Sequence, residues 1–235
     1  MATSGSGHTL KAFDEDLEQL RAAIAEMGGL AEAAITDAMR ALVARDVAAA
    51  RAVVERDRKL DELEGQIEKL AIRIIALRAP MADDLRDVVA ALKIAGVIER
   101  MGDYAKNIAK RVPAIEDMPD LRPLSLLPEM ARIVAEMVHN VLDAFVARDS
   151  AKAAEVCERD RAVDDFYNSI FRTLLTFMME DPQNITASTH LLFIAKNLER
   201  IGDHATNVAE MVYYAATGTH LGEREKGEDP IQPLT

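Results

Sequence analysis

The sequence predicts an all-α protein made of two tandem, pseudo-symmetric three-helix bundles, and three observations carry that expectation. Hydrophobic residues make up 49% of the 235, but aromatics only 4%, and Trp is absent. Ala, Leu, Ile, Glu and Arg abound, a bias toward helices packed through aliphatic side chains. Apolar residues recur at three- and four-residue steps through most of the chain. Finally, one helical pattern is written twice. IAGVIERMGDYAKNIA (94–109) and IAKNLERIGDHATNVA (194–209) agree at nine of sixteen positions, one hundred residues apart.

The elements follow in order. The segment 1–9 is small and polar and is expected to be disordered. The first bundle spans 10–112. Its first helix is carried by Leu17, Leu20, Ile24, Met27, Ala31, Ile35, Met39 and Leu42. Asp46 is placed to cap a second helix running to about Arg78. Pro80 interrupts, and a third helix runs from about Asp83 to Arg111. Pro113, Pro119 and Pro123 then fall within eleven residues, a spacing that predicts a linker without helix over 113–127. The second bundle, 128–217, repeats the scheme with helices from about Pro128, Ser150 and Asn184, and the polar stretch 218–235 is expected to be a flexible tail. ARD at 44–46 returns at 147–149, and ERD at 55–57 returns at 158–160. These matches are offset by 103, so the three-residue difference lies between the second and third helix of each unit, where loops tolerate it.

Composition also narrows the function. The formal charge of −12 argues against nucleic acid or an anionic membrane surface as the main partner. The single Cys157 can form no intramolecular disulfide and suits a reducing compartment. MATSGSGH lacks a signal profile, and no apolar run approaches the ~20 residues that span a bilayer. The expectation is a soluble, cytoplasmic protein.

The duplicated helix carries the chemistry. Glu99, Asp103 and Asn107 are four residues apart and form one slanted stripe, as do Glu199, Asp203 and Asn207. Ile94, Val97, Ile98, Met101, Ala105 and Ile108 lie opposite, so the carboxylates are expected on the outside of the bundle. The second helix of each unit adds Asp57 and Asp61, matched by Asp160 and Asp164. Two acid stripes would then face one another if these helices are antiparallel neighbours. Like charges four apart cost a helix roughly 0.2–0.5 kcal/mol per pair, so writing them into both units suggests a use. Grouped carboxylate and amide oxygens suit hard or borderline divalent cations. Glu64 and Glu68 extend the first stripe, whereas Tyr167 and Phe171 stand in their place in the second. A first site richer in carboxylates is expected to fill first. Gly102 and Gly202, mid-helix beside Asp103 and Asp203, read as close helix packing. Arg100 and Arg200 read as braces for the neighbouring acids.

With its duplicated ERxGD(Y/H)AxN signature, its opening KAFDEDLEQLRAAIAEMGGLAE and its repeated ERDRxxD segments, the chain resembles the PhoU family of phosphate-transport regulators over about residues 8–217. The resemblance implies paired three-helix bundles, often dimeric, with acidic motifs that hold divalent or iron ions. By motif, the implied ligands are Glu99, Asp103 and Asn107, and Glu199, Asp203 and Asn207, with Asp57, Asp61, Asp160 and Asp164 from the neighbouring helices. It further implies negative regulation of the phosphate-starvation response. The implied contacts are the ATPase subunit of the phosphate ABC transporter and the phosphate-sensing histidine kinase, with the membrane approached only through them.

Two rivals belong beside this reading. A carboxylate-bridged dimetal enzyme would use inward-facing glutamates and paired Glu-x-x-His motifs. Here Glu136-x-x-His139 is the single match, its counterpart being Ala33-x-x-Thr36. No Gly-rich phosphate loop or nucleophile–base signature is present, so no enzymatic activity is expected. The other rival is a metal-free helical adaptor.

Overall fold

The computed structural model describes residues 5–117 and 122–222. Among them there is no strand, and eight α-helices follow in order: α1 (Gly5–Ala44), α2 (Val47–Arg56), α3 (Arg58–Arg78), α4 (Asp83–Ala109), α5 (Val112–Ile115), α6 (Leu127–Ala147), α7 (Ser150–Glu180) and α8 (Ile185–Thr217). The first unit is α1, the α2–α3 rod and α4; the second is α6, α7 and α8. The all-α tandem architecture is as expected.

The repeated ARD triplet is a turn device. Arg45 and Arg148 both take the left-handed conformation, with φ 54 and 53, which ends the preceding helix. The next residue then caps the following one. Asp46 accepts from the Ala49 amide at 2.9 Å, and Asp149 accepts from the amides of Ala151 and Lys152, each at 3.0 Å. One triplet therefore stops one helix and starts the next, twice.

Three features depart from the periodic reading. The α1 helix begins at Gly5, ahead of the apolar pattern, because a nucleated helix propagates cheaply past its buried face. The second helix is interrupted at Asp57, although Asp57 keeps helical dihedrals (φ −56, ψ −33), so α2 and α3 form one rod. The Pro-rich connection is not free of helix. Pro113 lies in the first turn of α5, where its missing amide costs nothing, and a 3-10 turn covers Arg122–Leu126. Val112 and Ile115 are buried, so this connection is anchored. Residues 1–4, 118–121 and 223–235 of the predicted terminus, linker and tail lie outside the described residues. Thr219–Gly222 fall outside helix, and His220 stacks on Tyr214 with ring centroids 4.7 Å apart.

The two units share one continuous apolar core. The α1 helix packs on α6 and α4 on α8, bringing equivalent elements of the repeat together. Tyr104 and His204, which occupy the same repeat position, stack on each other with centroids 5.4 Å apart and ring planes 21° apart. Asp87 of α4 receives Arg21 of α1 and Arg148, the residue that follows α6, both at 3.0 Å, an ionic tie across the junction.

Candidate acidic seams between paired helices

The stripes face each other across the antiparallel pairs α3–α4 and α7–α8. Asp103 is 46% exposed, as the helical wheel predicts, but the first acid of each facing stripe is buried. Asp57 and Asp160 are 7% and 5% exposed, because two small residues let the neighbouring helix close over them. A β-carbon at Gly102 would overlap Leu60 Cδ1 and stand 3.6 Å from Asp57 Oδ1, and one at Gly202 would stand 3.2 Å from Val163 Cγ1 and 3.6 Å from Asp160 Oδ1. The glycines thus serve close packing, and that packing seats the carboxylates. Gly102→Ala is expected to lose about 1–2 kcal/mol through overpacking. Gly202→Ala should be near neutral, since the helical gain of about 1 kcal/mol offsets a milder contact. Urea unfolding of the two variants measures the difference.

In the first seam the cation is already present. Lys106 Nζ donates to Asp57 Oδ2 at 2.5 Å and to Asp103 Oδ1 at 2.8 Å, and these bonds, that to Asp103 first, raise its pKa above the ordinary lysine value. Glu99 faces the same group. Burial, then Asp103, Glu64, Asp61 and Asp57, push its pKa above the usual carboxylate value, which shows the two acid stripes acting on one another. Glu68 and Asn107 are exposed.

The second seam solves the same charge problem differently. Thr206 stands where Lys106 stands, and its buried hydroxyl donates to the Gly202 carbonyl at 3.1 Å. Lys196 replaces Gly96 instead. Its Nζ lies 2.7 Å from Glu199 Oε1 and 5.0 Å from the centre of the Tyr167 ring. Burial still raises the Glu199 pKa, against the opposing pull of Lys196, with Asp203 and Asp164 adding to the rise. Asn207 lies away from this group, its amide 3.4 Å from His204 Nδ1. The swap of Gly96 and Lys106 for Lys196 and Thr206 was visible in the aligned repeats, but it lies off the Glu–Asp–Asn stripe.

Other expected roles resolve clearly. Arg200 lies 5.7 Å over the Tyr104 ring rather than bracing an acid. Arg100 forms no ion pair among the described residues. His139 meets Glu32 at 3.2 Å, while Glu136 is held by Arg132 and Arg159. The Glu-x-x-His pair is therefore engaged elsewhere on an exposed face.

The seams can be tested against the ions implied by the resemblance. Their donors are all oxygens, the right chemistry for hard cations. Among the described residues, however, no three His, Cys, Asp or Glu side chains converge to hold a metal ion, and an ammonium occupies the space between Asp57 and Asp103. In this arrangement the first seam does not fit an ion without moving Lys106.

A duplicated helical unit with an acid seam in each copy defines a narrow class. The PhoU domain matches residues 24–112 and again residues 127–212. The chain belongs to the PhoU family. The phosphate-specific transport system accessory protein PhoU homolog of Zymomonas mobilis is 59% identical over 223 residues, covering 95% of this chain and 94% of its own. The homolog of the same name from Rhizobium meliloti is 50% identical, covering 94% of each. The crystal structure of PhoU from Pseudomonas aeruginosa superposes with a TM-score of 0.85 at 37% identity, covering 88% of this chain and all of that one. The phosphate transport system regulatory protein PhoU from Streptococcus pneumoniae gives a TM-score of 0.84 at 27% identity, covering 90% of this chain and all of that one. Among the described residues, no helix is long and apolar enough to cross a membrane.

Proposed function

We infer that this protein is a cytoplasmic negative regulator of phosphate uptake and of the phosphate-starvation response. It acts by contact with the transporter's ATPase subunit and the phosphate-sensing histidine kinase, as a homodimer and without catalysing a reaction. The observation that carries this reading is the whole-chain match to accessory proteins of the phosphate-specific transport system, with both copies of the signature in place. The helical body, with acids and bases engaged in pairs, is suited to presenting surfaces. A clean deletion is expected to leave phosphate-starvation genes active in phosphate-rich medium, read as reporter activity many-fold above wild type. Normal repression in that strain would reject the reading.

Divalent or iron ions at the seams form part of the same proposal. The donors would be Glu99, Asp103, Asn107, Asp57 and Asp61 in one seam, with Lys106 displaced from Asp57 and Asp103, and Glu199, Asp203, Asn207, Asp160 and Asp164 in the other, with the Asn207 amide turned from His204. Glu99 gives the test its sign. A carboxylate whose pKa is raised by folding opposes folding when ionised, and that opposition fades as pH falls toward 4.5, its ordinary value. With chelator at neutral pH, Glu99→Gln should therefore raise the melting temperature, by the equivalent of at most about 1 kcal/mol at a half-buried, solvent-screened site. With a bound ion the same change removes a ligand and should lower it. A shift of equal sign in both conditions would leave the seams as charge networks alone.

A further inference from the structure

The protein carries 40 Asp and Glu against 28 Lys and Arg, so its exposed cations have carboxylates to spare. Several find one: Arg132 pairs with Glu129 and Glu136, Arg56 with Asp37, and Lys152 with Asp143. Others meet none among the described residues, and two of these share a row with a third cation. Arg86, Lys93 and Arg100 stand seven residues apart on α4, a spacing that drifts only about 20° per step and places them about 10.5 Å apart along the helix. Arg86 is held by Asp83 at 2.6 Å. Lys93 and Arg100 are exposed and meet no carboxylate among the described residues.

The row borders a groove of about 780 Å³ between α4 and α8. Its lining includes Leu85, Val89 and Val97 on α4 and Met211 and Tyr214 on α8, and Glu210 is its single acid. His204 also lines the groove, its Nε2 buried without a hydrogen-bond partner. Burial and then the Arg100 guanidinium push its pKa below the ordinary imidazole value. The groove is thus apolar within and positively charged along one edge.

We propose that the α4–α8 groove docks an amphipathic helix from a partner protein, one whose carboxylates recur every seven residues beside an apolar stripe. Charges spaced this way match a helical partner of the same repeat, as at the flanking positions of paired helices. Cations so far apart do not converge on one small anion. Duplex nucleic acid would set an apolar groove against phosphates, and a flat bilayer does not reach a recessed floor. A second copy packed groove to groove across a two-fold would bring like charges together. The proposal deepens the regulatory reading by giving a partner's surface chemistry. A peptide measurement tests it separately from the phosphate response.

The probe is a labelled, stapled helical peptide of about four turns with Glu at every seventh position beside Leu, alongside a twin carrying Lys in place of Glu. Fluorescence anisotropy with the full chain should show the Glu peptide binding at least tenfold tighter than the Lys twin, more weakly as salt rises. Lys93→Glu with Arg100→Glu should cost the Glu peptide tenfold or more and restore the Lys twin. Lys110→Glu, on the exposed end of the same chain segment, should change neither. If the double variant loses helical signal, Lys93→Gln with Arg100→Gln replaces it and should still cost severalfold. Equal binding of both peptides, or an equal loss in Lys110→Glu, overturns the proposal. So does a wild-type dimer that the double variant converts to monomer, or a loss of binding to duplex oligonucleotide or phosphatidylserine vesicles as large as the loss to the Glu peptide.

Discussion

Replacing Lys106 by Met is expected to lower the unfolding free energy by about 3 kcal/mol, the lower end of the cost of removing one partner from a buried ion pair. The lower end applies because Asp57 is buried but the Lys106 side chain is 24% exposed and Asp103 46%. Asp57 would remain between helices with no cation, facing Asp103, Glu99 and Asp61. Adding Asp57→Asn to Lys106→Met should recover much of the loss, since the amide removes the unpaired charge. Urea denaturation of wild type, both single variants and the double variant gives the coupling energy. A loss under about 1 kcal/mol for Lys106→Met would mean that water, not the ammonium, solvates the seam. The pH dependence has a definite sign. The Lys106 pKa is raised by folding, so its contribution is complete below the unfolded value of about 10.4. It is lost only as pH rises through the higher folded value. Wild-type stability should therefore hold through mildly alkaline conditions as far as this group is concerned.

Much of the fold was legible because local rules and the global pattern agree in it. The Asp46 cap and the apolar stripes predict most of the helix ends that the structure shows, and α7 runs over Ser150–Glu180 as the spacing implies. Pro113 misled because a proline that breaks a helix interior is at home in a first turn. The seams were legible as sets of residues but not as a charge balance. A helical wheel separates Lys106 from the Glu–Asp–Asn stripe. The flexible arm nevertheless reaches back three residues to Asp103 and across to Asp57. The wheel, which shows one helix alone, gave no sign that Asp57 and Asp160 are buried beneath the second helix that Gly102 and Gly202 admit. Arg100 and Arg200, identical in the two copies, have different surroundings. The stacked pair beside them is Tyr104 and His204, and the repeat is broken where its copies meet.

The last expected result concerns that meeting. The duplication suggests that each three-helix unit buries its own core, whereas the apolar residues of both form one cluster. A fragment of residues 1–117 is expected to self-associate or unfold non-cooperatively rather than persist as a folded monomer. Without the second unit, α4 loses α8 from one flank and α1 loses α6. Gly28, whose added β-carbon would run into Leu142, marks how closely those last two approach. Asp87 would lose Arg148 while burial still holds its pKa up, so one of its two balancing guanidinium groups would be gone. A domain this small has only about 5–15 kcal/mol of net stability, less than the deletion of such a junction removes at about 25 cal/mol per Å² of apolar surface if it exceeds roughly 600 Å². Sedimentation with urea unfolding decides it. A monomeric fragment with one sharp transition would show that the units fold independently and that the junction is a docking contact. The groove between α4 and α8 would then exist only after docking. In the intact chain it is built by folding itself, which puts Lys93, Arg100 and His204 on one surface that neither copy of the repeat contains alone.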